Sequence, residues 1–276
     1  MRVEEFWTRA SSYVALTLFL QVSLAAAEDP RPNDQNVPCD SCGLVKTVIA
    51  DTGEVFTAPV RWRKSEWRSA AIKAGAVTAS MLFLDERVRD HVQDHRNDTT
   101  DRIANAFEPF GAEYSVAVLG GFALIGHFAE KPRALELAFD GTASLFISAG
   151  LITPGLKFVT GRSRPSAELG SSDFHPFGGG ESFPSGHTTA AFAVAGSIAT
   201  HYDELWVKGL SYGVAGLVGY SRIVHDAHWL SDVTAGAFIG IGVAHEVATL
   251  NLERRGVVLL PYYEQGAWGI RFAKTL

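Results

Sequence analysis

Three short segments of this sequence hold side chains whose types and spacing could do chemistry on an anion. The first runs from Lys157 to Arg164-Pro165, with six residues between the lysine and the arginine. Seven positions make about two helical turns, so both cations share a face if a helix persists that far. The second, Ser182-Phe183-Pro184-Ser185-Gly186-His187, stands immediately before an apolar block that opens with Thr188-Thr189. Gly186 permits close backbone approach, and amides at a helix N-terminus point at whatever anion sits there. The third segment holds Ser221-Arg222, His228 and Asp232, the last two at i and i+4. On a helix that spacing lets a carboxylate hold one imidazole N–H and leave the other ring nitrogen free.

Together the segments supply three cations, a hydroxyl, loop amides, two histidines and an orienting carboxylate. Such a set describes a tetrahedral oxyanion site with a nucleophile and an acid. Lys157, Arg164 and Arg222 can neutralise a phosphate dianion and the charge that develops in phosphoryl transfer, where catalysis is mainly positioning and electrostatics. Three fixed cations can also supply the neutralisation a metal ion would give, so the set needs no metal and no cofactor. A nucleophilic imidazole must be neutral and oriented, whereas a general acid must hold a proton. Singly, each residue reads as ordinary: Lys157 or Arg222 as a surface charge, His187 as a helix-start residue. The ordered combination carries the reading.

On these residues the chain resembles the type 2 phosphatidic acid phosphatase and vanadium haloperoxidase superfamily. Its three-part signature matches Lys157 to Pro165, Pro184 to His187 and Ser221 to Asp232. The resemblance implies an all-α helical bundle with the active site at helix junctions. It further implies that His228 attacks phosphorus to give a phosphohistidine, that Asp232 orients it, and that His187 protonates the leaving oxygen and then activates water. Lys157, Arg164, Ser185, the Gly186 amide and Arg222 would bind the phosphate oxygens. The signature leaves His225 free, and His225-x-x-His228 lacks a third metal ligand. His175 reads as a solvated loop histidine.

The implied function is a metal-independent phosphohydrolase acting on a lipid phosphate of the phosphatidic acid or isoprenyl pyrophosphate type. Phe174, Phe177, Phe183 and Trp229 are its apolar neighbours in sequence. An alternative keeps the reaction but makes the protein a soluble periplasmic acid phosphatase for small phosphomonoesters. A third reading places vanadate in the pocket as a haloperoxidase, and a fourth is a non-enzymatic scaffold, which the complete signature disfavours.

The elements that must position these residues are apolar blocks at about 69 to 84, 113 to 129, 134 to 153, 187 to 202, 205 to 221 and 230 to 249. Their Ala, Leu, Gly and Val content and their lengths predict about six core helices. Glycines such as Gly213, Gly216 and Gly219 read as packing positions. The charged stretch from Asp85 to Arg102 reads as a solvated connection. After Arg254, the runs Val257 to Leu260 and Ala267 to Phe272 around Gln265-Gly266 read as a short C-terminal β-hairpin or tail.

Four regions follow: 1–27 as a signal peptide or N-terminal anchor, 28–66 as an extension, 67–250 as the helical phosphatase domain, and 251–276 as the tail. The apolar run from Tyr13 to Leu24 before Ala25-Ala26-Ala27 suggests export, hence the periplasm or the periplasmic face of the inner membrane. Cys39 and Cys42, the sole cysteines, lie in a Pro- and Asn-rich segment and read as a local disulfide in an oxidising compartment. With 30 acidic against 24 basic side chains the net charge is −6, which argues against nucleic acid as a partner. A phosphorylated lipid or small ester, with a membrane surface, is the expected partner; oligomeric state is left open.

Membrane spanning is the harder question, because a span needs about 20 mainly apolar residues. The uncharged runs from Tyr114 to Ala129 and from Gly141 to Leu156 hold 16 residues each, and those from Gly209 and from Val233 hold 13. Parity adds a constraint: a cleaved signal, six spans and an external site cannot all hold.

Overall fold

In the computed structural model the described residues are 41–254, 257–264 and 267–274. The expected export signal and Cys39, and with it the expected Cys39–Cys42 disulfide, lie outside them. Helices α1 (Ser41–Arg61), α2 (Lys64–Phe83), α3 (Asp85–Asp94) and α4 (Asp98–Phe107) lead through a 3₁₀ turn, Glu108–Gly111, into α5 (Glu113–Phe128). Then come α6 (Pro132–Leu145), a π-helical stretch Phe146–Ile152, α7 (Thr153–Thr160), a loop with a 3₁₀ turn at Pro165–Ala167, α8 (Gly186–His201), α9 (Leu205–Val224) and α10 (Leu230–Arg254). The π stretch precedes Pro154, which has no amide hydrogen to return to the preceding turn; the widened turn lets the helix continue. Strands β1 (Val257–Glu264) and β2 (Ala267–Lys274) pair antiparallel, Val257 opposite Lys274 and Glu264 opposite Ala267.

The fold is therefore all-α over 41–254, and the six apolar blocks coincide with α2, α5, α6 with its continuation, α8, α9 and α10. Two segments differ from expectation. Residues 41–61, read as part of an extension, form a helix whose Val48 packs with Ala143, Ile147, Val243 and Val247. Residues 85–94 and 98–107, read as a solvated connection, are helices too, and Asp85 at the start of α3 is buried. Asn97 caps α4, accepting from the amides of Thr99 (2.9 Å) and Thr100 (3.2 Å).

Helix α8 is the centre of the bundle. Its sequence, Ala- and Gly-rich with almost no charge, suits burial on most sides, and Ala193, Ala195 and Ser197 are at most 3% exposed. Small residues let α10 cross it closely: a Cβ added at Gly240 would lie 2.5 Å from the Thr189 carbonyl, and one at Gly236 2.7 Å from that of Ser185. The α9 glycines behave differently. Gly219 abuts Val233, but Gly213 and Gly216 meet nothing within 4 Å among the described residues.

Two helical stretches are long and apolar enough to cross a membrane, Pro132–Thr160 with 29 residues and Leu230–Arg254 with 25. Helix α4 with its 3₁₀ turn and α5 would make a third if that pair, bent by 54°, is one span. The uncharged runs underestimate these helices, because each continues through charges near its ends. Six full spans are not what the described residues offer.

Candidate active site

The C-terminal end of α7, the N-terminal ends of α8 and α10 and the C-terminal end of α9 meet at one end of the bundle. The loop 161–185 covers that meeting point. Gly161 makes the first turn possible: its φ is +56°, and a Cβ there would sit 1.7 Å from the His175 carbonyl. Beyond it, the His175 amide donates to the Gly161 carbonyl (3.0 Å) and the Ser163 amide to that of Asp173 (3.1 Å), folding the loop back on itself. Because α7 ends at Thr160, Lys157 and Arg164 do not share a helical face. They meet instead at Glu181, where Lys157 Nζ donates to the carbonyl and Arg164 Nη2 to Oε2 at 3.3 Å.

His228 is 3% exposed, and its Nδ1 lies 2.7 Å from the Ser182 carbonyl but 3.7 Å from Asp232 Oδ2. The main-chain carbonyl, rather than the i+4 carboxylate, is the close acceptor of the ring N–H. With Nδ1 so engaged, Nε2 is the nitrogen left free. Asp232, fully buried, collects donors of its own: Ser182 Oγ (2.5 Å), the Trp229 amide (2.9 Å) and Arg162 Nη1 (2.5 Å). Arg162, also fully buried, bridges onward to Asp85 Oδ2 at 2.8 Å. Asp85 in turn accepts from the Ser231 amide (2.8 Å) and hydroxyl (2.6 Å), at the start of α10.

Helix α3 grips the site at further points. Glu86 accepts from the Ser171 amide (2.6 Å), Arg89 forms a bidentate pair with Asp226 at 2.8 Å, and Gln93 donates to the carbonyls of Ile223 (2.9 Å) and Val224 (3.2 Å). These residues, with Arg162 and Glu108, were not anticipated from the sequence. Their one signal was a helical spacing, 85, 86, 89 and 93, hidden in a charged stretch.

Arg222 is 8% exposed and its Nη1 donates to Glu108 Oε1. The same carboxylate reaches His225 Nδ1 at 2.9 Å and comes within 3.9 Å of His187 Nε2. His225, a position the signature does not specify, is thus joined to Arg222 through Glu108. Among the described residues no group of three or more His, Cys, Asp and Glu side chains is arranged to hold a metal ion. Ser185 is buried and caps α8, its Oγ accepting from the Thr188 amide at 3.4 Å and also from Thr188 Oγ1 at 2.9 Å, and Gly186 is the first residue of that helix. His175 is exposed and pairs with Asp173 at 3.1 Å. Of the expected apolar neighbours, Trp229 is buried, its indole donating to the Ser163 carbonyl, and Phe174 packs on the Arg162 guanidinium. Phe177, exposed, stacks edge-on against Phe158.

Burial sets the electrostatics. It holds the imidazole of His228 down to about 4 against the pull of Asp232, with smaller help from the charges of Lys157 and Arg222. His187 is pushed to about 3 by burial and by Arg222, His228, Lys157 and Arg164. At neutral pH both rings are uncharged and face a cluster of positive charge suited to a multiply charged oxyanion.

Residues 141–255 match the PAP2 superfamily. Among curated relatives, a lipid A 1-phosphatase of Rhizobium etli is 29% identical over 196 residues, covering 66% of this chain and 82% of that protein. A lipid A 1-phosphatase of Porphyromonas gingivalis is 37% identical over 108 residues, which is 38% of this chain and 22% of the relative, about a fifth of its length. Lipid phosphate phosphatase 2 of Arabidopsis thaliana is 30% identical over 171 residues, 49% of this chain and 59% of that protein. The crystal structure of Aquifex aeolicus LpxE aligns with a TM-score of 0.47 at 26% identity, covering 59% of this chain and 94% of that one.

Proposed function

We propose, on the premise that residues 141–255 form a PAP2-superfamily region, that this protein is a membrane-associated lipid phosphate phosphatase working through a phosphohistidine. The observation that carries the reading is the convergence of Lys157, Arg164 and Arg222 on two neutral histidines, one of which has its Nδ1 tied to a main-chain carbonyl. The relatives named as lipid A 1-phosphatases and lipid phosphate phosphatases support a phosphorylated lipid as the substrate class. Two helices of membrane-crossing length support a site at a membrane surface. The apolar run from Tyr13 to Leu24, if it is an export signal as the sequence suggests, favours its outer, periplasmic side.

In the proposed reaction the three cations and the amides at the start of α8 hold the phosphate oxygens. His228 Nε2 forms a bond to phosphorus as the bond to the leaving oxygen breaks, and His187 gives that oxygen its proton. The dianion makes this proton available: bound beside the ring, its oxygens favour the protonated imidazole that burial otherwise disfavours. Water then attacks phosphorus, His187 takes the proton, the P–N bond breaks and inorganic phosphate leaves with His228 neutral again. Asp232 holds Ser182, whose carbonyl holds the nucleophile, and its charge stabilises the ring as it becomes positive.

The test is phosphate release by the full chain in detergent, with chelator present. Phosphatidic acid, isoprenyl pyrophosphate and a lipid A preparation are compared with p-nitrophenyl phosphate. Hydrolysis of a lipid substrate with higher kcat/KM than the soluble ester is expected. Preference for the soluble ester by protein recovered without membranes would move the reading to a soluble acid phosphatase.

A further inference from the structure

Each cation of the site is matched by an oxygen of a glutamate. Arg222 Nη1 donates to Glu108 on the 3₁₀ turn before α5; Arg164 Nη2 donates to the Glu181 carboxylate at 3.3 Å, and Lys157 Nζ to the Glu181 carbonyl. The two carboxylates bring two negative charges to three cations, close to the charge of a phosphate monoester at neutral pH.

We propose that Glu108 and Glu181 are resident counter-ions of the phosphate pocket, and that substrate binding is an exchange in which the phosphate dianion displaces both carboxylates from Arg222 and Arg164. The inference rests on the phosphohydrolase reading and adds a device that sets its affinity and charge selectivity.

Three observations favour exchange. Arg222 is 8% exposed, and a buried guanidinium without a counter-charge is costly, so some anion must stand beside it between turnovers. The glutamates can give way: their side chains are 31% and 70% exposed, so each can turn toward water. Finally, Arg222 Nε is buried and has no hydrogen-bond partner, a donor with capacity for an incoming oxyanion beside the one that Glu108 occupies.

Two consequences follow for the reaction. A phosphodiester, with one negative charge, replaces only one of the two carboxylates and binds poorly. After hydrolysis, the glutamates compete with inorganic phosphate for the same guanidinium groups and limit product inhibition.

The experiment measures competitive inhibition of p-nitrophenyl phosphate and lipid hydrolysis by orthovanadate and by inorganic phosphate. The full-length protein is compared with Glu108→Gln, Glu181→Gln and the double variant. Each substitution is expected to lower both inhibition constants about two- to fivefold, the range of a partly exposed ion pair near a protein surface, and the double variant more. Unchanged constants would overturn the proposal. So would raised ones, which would make Glu108 a strut that positions Arg222. A structure of the unaltered protein with orthovanadate checks the same point without any variant: Glu108 is expected beyond 4 Å from Arg222, and its retention at hydrogen-bond distance would sink the exchange. If the unaltered protein hydrolyses no phosphate ester and binds no vanadate, the phosphohydrolase reading itself has failed; normal turnover with unaltered constants overturns only the exchange.

Discussion

Ser182 serves His228 and Asp232 at once: its carbonyl lies 2.7 Å from His228 Nδ1, and its hydroxyl donates to Asp232 Oδ2 at 2.5 Å. Because the carbonyl belongs to the main chain, it survives any substitution. Ser182→Ala therefore removes only the hydroxyl. We expect kcat to fall about tenfold with KM nearly constant, the cost of one charge-assisted hydrogen bond that keeps the carboxylate in place. Steady-state kinetics decide it; a KM effect alone would place Ser182 in substrate binding instead.

His228→Ala should abolish turnover, and acid-labile, base-stable phosphate trapped on the unaltered protein by rapid quenching should be absent from the variant. Asp232→Asn should reduce kcat by about a hundredfold or more, since it removes the charge that steadies a positive imidazole. It should also destabilise the protein by about 1–3 kcal/mol, because an amide cannot serve the donors from Arg162, Ser182 and Trp229 equally. Trapped phosphate on the His228 variant would end the phosphohistidine reading.

Acid should destabilise this protein through His228 and His187. In the folded state His228 titrates near 4 against an ordinary 6.5, so as pH falls below 6.5 the unfolded chain takes up a proton that the native site refuses. Stability from this group is present in full above 6.5, is lost between 6.5 and 4 and is level below that, a change of about 3 kcal/mol. His187 adds a loss of the same sign that extends to about 3. Denaturant midpoints across this window, with and without orthovanadate, check the prediction. A bound anion should flatten the decline.

Arg89 and Asp226 form a bidentate pair across 137 residues, and Asp226 holds a φ of +52° in the turn between Arg222 and His228. Arg89→Ala and Asp226→Ala are each expected to cost about 1–3 kcal/mol and to lower kcat. The double variant should lose little more than the worse single one. Additive losses in a double-mutant cycle would show that the pair does not act as a unit.

The helices of the bundle were legible because α5, α8, α9 and α10 are apolar runs ended by charge or a change of composition. The closeness of several candidate site residues was legible because their spacing is local: His228 and Asp232 are four apart, Ser185 and His187 two. What the sequence hid was contact over distance. Asp85, Glu86, Arg89 and Gln93 look like a solvated run until their partners, 77 to 146 positions later, fold against them. Glu108 was hidden for the same reason, and with it the tie between Arg222 and His225. The i+4 spacing of His228 and Asp232 was read correctly as proximity but not as the closest contact, since the Ser182 carbonyl arrives from another segment.

Helix α3 lies outside the region 141–255, yet it fastens the loop after Arg164, the turn after Arg222 and the start of α10. The signature letters and part of the scaffold that shapes them therefore lie in different stretches of the chain. A chain could keep every residue of the three segments and still lose the reaction through changes in α3. A fragment cut to the matched region would be such a chain, spelling the site without building it.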